Sequence, residues 1–105
     1  MLVLMSMQDS LAPAGRVVAV RDQVSCDVGG EIAILQLKSG TYYGLDPVGS
    51  RIWALLQQPR TLGEIRDALL AEYDVASERL ERDLLQLLAR LEHEGLIEVR
   101  DEAAR

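Results

Sequence analysis

Apolar positions alternate with polar ones along the first half of the chain and recur at helical spacing along the second. Val17, Val18, Val20 and Val24 are β-branched, with Arg21 and Asp22 among them, which predicts a first strand over 17–24. Asp27-Val28-Gly29-Gly30 reads as a turn, because paired glycines supply positive φ without steric cost. Residues 32–38 (Ile-Ala-Ile-Leu-Gln-Leu-Lys) give the clearest strand, with Leu35 and Leu37 alternating against Gln36 and Lys38. Ser39-Gly40 is a two-residue hairpin signal, and Thr41-Tyr42-Tyr43-Gly44-Leu45 returns as a third strand. The expected unit is a three-stranded antiparallel meander.

Helices follow. Asp46-Pro47 pairs an N-cap with proline at the first helical position, where a missing N–H is harmless. Val48, Ile52, Leu55 and Leu56 form an apolar stripe around Trp53, and Pro59 ends that helix. Thr61 and Glu64 have the spacing of a capping box, and Leu62, Ile65, Leu69 and Leu70 continue the pattern to Tyr73. A third helix starts within 74–77 and runs to about Glu94. Its expected core stripe is Leu80, Leu84, Leu87 and Leu91, with Leu85 and Leu88 widening the apolar surface beyond it. Gly95 closes the helix, and residues 96–99 add a short terminal strand. The predicted fold class is α+β and winged-helix-like: a three-stranded antiparallel sheet followed by three helices. The domain spans 17–100, between an N-terminal tail of 1–16 and a C-terminal tail of 101–105. Leu2-Val3-Leu4 in the first tail is apolar enough to dock on a sheet edge.

A chain of 105 residues, 49% apolar and 27% charged, is of ordinary globular composition and holds one core. A domain of this size buries only roughly 60–65% of its unfolded surface, which favours a binding or accessory module over an enzyme with a deep pocket. The net charge of −6 also argues against nucleic acid, whose binders use basic patches to neutralise phosphates. Locally the same holds. The third helix sets Arg79, Arg82 and Arg90 against Glu78, Glu81, Asp83, Glu92 and Glu94, a balance that repels a duplex.

Chemistry finds little to work with. The single cysteine, Cys26, cannot form an internal disulfide, and with one histidine, His93, no Cys/His zinc site can be assembled. No nucleophile–base constellation is present either, so the chain reads as no enzyme and calls for no cofactor. The N-terminal Met-Leu-Val-Leu-Met is too short for a signal sequence, and no stretch approaches a membrane span. The cytoplasm is the expected location. The informative residues are apolar ones: Tyr42 and Tyr43 on the third strand, where Tyr43 shares the core side with Leu45 and Tyr42 faces outward. The leucine-rich third helix joins them, since excess apolar width on a surface helix marks a groove for a partner.

The run from Leu35 to Leu56 resembles the PqqD family, whose members share a pattern close to L-x-L-x-x-G-x-Y-Y-x-L-N-x-x-G-x-x-I-W-x-L-L. Leu35, Leu37, Gly40, Tyr42, Tyr43, Leu45, Gly49, Ile52, Trp53, Leu55 and Leu56 all match, and Asp46 stands where asparagine is commoner. Either residue caps a helix. The likeness continues through Thr61-Leu-Gly-Glu64-Ile65, Tyr73-Asp74-Val75, Asp83 and Gly95-Leu96-Ile97-Glu98. The Tyr-Tyr and Ile-Trp pieces look most like the discrete leader-binding proteins of lasso-peptide clusters.

This resemblance implies a recognition element for ribosomally made, modified peptides. The precursor's leader would bind as an added strand on the third strand, over a groove shared with the third helix. A tyrosine, a proline and a downstream leucine are what lasso leaders typically present there. The family delivers the precursor to separate enzymes: a leader peptidase and an ATP-dependent cyclase for lasso peptides, often a radical SAM enzyme for other relatives. An open strand edge, with Gly44 admitting close backbone approach, fits that mode. Expected peptide contacts are Tyr42, Tyr43, Gly44, Leu45, Leu84, Leu85 and Leu88, with Arg79 or Arg82 meeting acidic residues at the rim. A PqqD-like chaperone for a radical SAM pathway and a winged-helix regulator are the competing readings. The open edge and the apolar tail also leave homodimerisation by strand exchange open.

Overall fold

A computed structural model describes residues 15–101. The greater part of both expected tails, with Leu2-Val3-Leu4, lies outside them. Among the described residues, five strands and three helices occur in the order β1 (Gly15–Ala19), β2 (Gln23–Val28), β3 (Glu31–Gln36), β4 (Thr41–Gly44), α1 (Pro47–Leu55), α2 (Leu62–Glu72), α3 (Ser77–His93) and β5 (Ile97–Asp101). The α+β architecture, a three-stranded antiparallel sheet followed by three helices, is as the sequence predicts. A second, two-stranded sheet of β1 and β5 is added to it.

The expected first strand is in fact two. The chain bends at Arg21-Asp22, so that β1 pairs antiparallel with β5 and only β2 enters the sheet of order β2-β3-β4. Alternation along 17–24 could not show this, because a run of β-branched residues reads the same whether it pairs with one partner or with two. Backbone bonds hold β1 in its own place: Val17 N–H donates to Arg60 C=O at 2.7 Å and Ala19 N–H to Leu56 C=O at 2.8 Å. The Asp27–Gly30 turn likewise contracts to Gly29-Gly30, with φ of 69° and 91°, where residues with side chains are strained. Between β3 and β4 the turn occupies Leu37–Gly40 rather than Ser39-Gly40 alone. Gln36, almost buried, folds it: its Oε1 accepts from Lys38 N–H at 2.6 Å and Ser39 N–H at 3.1 Å.

Both expected caps form. Asp46 Oδ1 accepts from Gly49 N–H at 2.7 Å, and Thr61 and Glu64 complete a reciprocal capping box. α3 begins at Ser77 after Ala76, which supplies no side-chain cap, so packing rather than capping holds its start. Its buried stripe is Leu80, Leu84, Leu88 and Leu91, and these meet Ile34, Trp53, Leu56, Ile65 and Leu69 in one core. The stripe therefore differs from that expected at one member, Leu88 standing in place of Leu87. Leu88 is fully buried, whereas Leu87 is only partly so.

Ion pairs tie the helices at the surface. Arg51 grips Glu72 through two nitrogens, at 2.8 and 2.7 Å, and Arg66 reaches Glu81 at 3.0 Å. Such exposed pairs are individually weak, yet they do shift proton affinities. Glu64 is held below its ordinary 4.5, chiefly by the Thr61 N–H, and Glu72 chiefly by the Arg51 guanidinium. Both carboxylates thus bind protons more readily in the unfolded chain. The stability they lend is complete above 4.5 and is lost as pH falls through their lower folded values. We expect the urea midpoint to drop on acidification from about pH 5 to about pH 3, with a shallower drop for the Glu64→Gln/Glu72→Gln double variant. Equal slopes for the two proteins would contradict the assignment.

Candidate functional site

Strand β4 is an edge. Among the described residues its one partner in the sheet is β3, in the register Ile34↔Tyr43 and Leu35↔Tyr42. Leu45 N–H donates to Ile32 C=O at 2.9 Å. Because bonded pairs alternate along an antiparallel ladder, Tyr43 and Thr41 also point their backbone groups inward at β3. Tyr42 and Gly44 therefore direct their N–H and C=O groups to the open side. The far end of the strand is fastened by Ser50, whose hydroxyl accepts from Ile32 N–H at 2.8 Å and donates to Leu45 C=O at 3.2 Å.

A groove of about 770 Å³ opens beside this edge. Gly44 and Leu45 form one side, Val48, Gly49 and Ile52 of α1 the floor's end, and Tyr73 and Val75 close it beyond α2. The α3 wall is Arg79, Leu80, Asp83, Leu84, Leu87 and Arg90. Val48 is 40% exposed, an apolar residue left open to water at the mouth. A shallower depression by Val28, Ile32, Ala33 and Gly44 continues the apolar surface past the strand.

Of the residues singled out from the sequence, the structure brings Gly44, Leu45, Arg79 and Leu84 together in the groove. Tyr42 lies on the opposite face of the sheet and is 73% exposed, so its backbone is at the open edge while its ring points away from the groove. Tyr43 packs half-buried against the core, and its hydroxyl donates to Glu94 Oε2 at 2.5 Å. That acceptor, followed by desolvation and the negative charge of Glu94, holds the phenol above its ordinary 10.0. Leu88 is in the core, and Leu85 is half-buried outside the groove lining. Arg82 is exposed and likewise outside the lining.

Sequence reasoning missed Val48, Leu87 and Arg90 as lining residues. Leu87, expected in the core stripe, is partly buried against the core and also lines the groove. The i, i+3, i+4 pattern of α3 is satisfied by two overlapping stripes, and only the elements packed against the helix decide which one is covered. Cys26 is exposed on β2, and the described residues contain no cluster of His, Cys, Asp or Glu able to hold a metal ion. Nor is any helix among them long and apolar enough to cross a membrane.

These burial differences give a direct check on α3. Leu88→Ala should cost about 2–5 kcal/mol in urea unfolding, as for other buried leucines, and Leu85→Ala less than half as much. Similar losses at the two positions would mean that α3 is rotated from the orientation described.

Comparison with known proteins agrees with this architecture. The family profile described as "Coenzyme PQQ synthesis protein D (PqqD)" matches residues 31–97. A solved structure described as TbiB1 in complex with the TbiA(beta) leader peptide is 43% identical, with a TM-score of 0.73 over 77% of this chain and 94% of that one. A lasso peptide synthetase B1 complexed with the leader peptide is 21% identical, with a TM-score of 0.70 over 78% and 96% of the two chains, and shares the fold. Among curated proteins there is no match.

Proposed function

The chain belongs to the PqqD family, and from that premise we propose that it is a non-catalytic recognition element for the leader segment of a ribosomally synthesised precursor peptide. The observation that carries this reading is the open edge of β4 bordering an apolar groove walled by α1 and α3. An extended peptide would add to the sheet through the outward backbone groups of Tyr42 and Gly44, and set alternate side chains into the groove. Gly44, Leu45, Val48, Leu84 and Leu87 offer the apolar contacts, with Arg79 at the rim. Tyr43 acts from behind, its bond to Glu94 fixing β4 against the end of α3.

The client in this proposal is a lasso-type precursor, in keeping with the Tyr-Tyr and Ile-Trp motifs. Bound at β4, the leader would be presented to a leader peptidase and an ATP-dependent cyclase. A radical SAM enzyme as the recipient would use the same binding physics. Recognition of this kind rests on main-chain hydrogen bonds and apolar burial, so it should resist salt, unlike phosphate recognition.

Fluorescence polarisation with labelled lasso-type leader peptides, the cognate leader among them, tests the proposal. Saturable binding that persists at high salt is expected. Tyr42→Pro removes one outward N–H without touching the β3 ladder and should weaken binding about three- to tenfold. Val48→Asp puts a charge into the apolar mouth and should weaken it about tenfold or more. A cognate leader that fails to bind would overturn the lasso assignment and turn attention to a radical SAM client, and binding abolished by salt would mean that charge pairing rather than strand addition holds the peptide.

A further inference from the structure

Resting on that reading of the groove, we propose that Arg90 selects peptides carrying an acidic side chain shortly downstream of the apolar residue seated on Leu84 and Leu87. The direction of β4 relative to α3 follows from contacts at the C-terminal end of the helix. Tyr43 meets Glu94 near the end of α3, and a Cβ built on Gly95 would lie 3.1 Å from Gln36 Nε2, beside the start of β4. β4 therefore runs opposite to α3. A strand added antiparallel to β4 must run with α3, its N-terminal part over Leu80 and Leu84 and its C-terminal part approaching Arg90.

The charges along that path are unequal in availability. Asp46 is engaged in capping α1, and Asp83 lies 3.8 Å from Arg79. On the same helix as Arg90, Glu94 takes the Tyr43 hydroxyl, and His93 is exposed outside the lining. Arg90 lines the groove, is exposed, and forms no ion pair with another described residue. Arg79 and Asp83 offset each other, which leaves Arg90 as the lining cation at this end without an ion-pair partner among the described residues.

Spacing then fixes the pattern. Arg90 lies about 9 Å beyond Leu84 along the helix axis, and about 4.5 Å beyond Leu87. Two residues of strand advance about 6.8 Å and return to the same face. An aspartate or glutamate two positions after the apolar anchor therefore comes within reach of the guanidinium. The ligand class is an extended peptide of the form apolar-x-acidic, read from N- to C-terminus.

An mRNA-display library of random dodecapeptides, selected on the full chain and on Arg90→Glu, Arg82→Glu and Val48→Asp, tests this. Peptides that are lost on Val48→Asp should carry Asp or Glu two positions after a bulky apolar residue. On Arg90→Glu that position should turn to Lys or Arg, and on Arg82→Glu it should stay acidic. In polarisation assays of one such peptide, Arg90→Gln should weaken binding about three- to fivefold, and amidating the peptide's acid should add no further loss. Groove-dependent peptides without acidic preference, or with a preference unchanged on Arg90→Glu, would overturn the role of Arg90 while leaving the groove assignment standing. A selection in which every peptide still binds Val48→Asp would overturn both.

Discussion

The structure depends on holding β4 firmly on one side while leaving it unpaired by any described residue on the other. An unpaired strand edge is a hazard, since its N–H and C=O groups template pairing with any extended chain. Here the inner side is fixed by the β3 ladder, by the Ser50 hydroxyl bridging Ile32 and Leu45, and by Tyr43 on Glu94. The outer side offers Tyr42 and Gly44 to solvent. Such an edge is rigid enough to impose register on an incoming peptide and short enough, at four residues, to limit indiscriminate pairing.

The helices serve that strand in different ways. α1 starts immediately after it, and its cap at Asp46 and its Ser50 set the end of the groove. α3 supplies the long wall, but only because its other face is buried against Trp53, Ile65 and Leu69. One helix thus carries two adjoining stripes, a core stripe and a groove stripe, with Leu80 and Leu84 shared between them. Sharing has a consequence: a substitution at Leu84 would report on folding and on binding together, whereas Val48 and Arg90 at the margins report on the groove.

Electrostatics enter late and locally. The chain as a whole carries −6, yet the groove wall ends in a cation, Arg90, that forms no ion pair with another described residue. Net charge speaks to the partners a surface repels at a distance, and says little of a site where desolvation strengthens a single pair. An acidic protein can therefore favour an acidic peptide at one position.

The periodicities and caps of the sequence determined the meander's last two strands, the three helices and the final short strand. Asp46-Pro47 and the Thr61–Glu64 box are local signals that need no tertiary information, and both formed. The motif from Leu35 to Leu56 also carried the family. Tertiary structure decided the rest. Whether residues 17–24 made one strand or two depended on Arg60, Leu56 and β5 offering β1 a separate set of backbone partners. Whether Leu87 or Leu88 faced the groove depended on where α1 and α2 covered α3. A helix repeats every 3.6 residues, so neighbouring leucines satisfy the same sequence pattern, and only the elements packed against them determine which is buried.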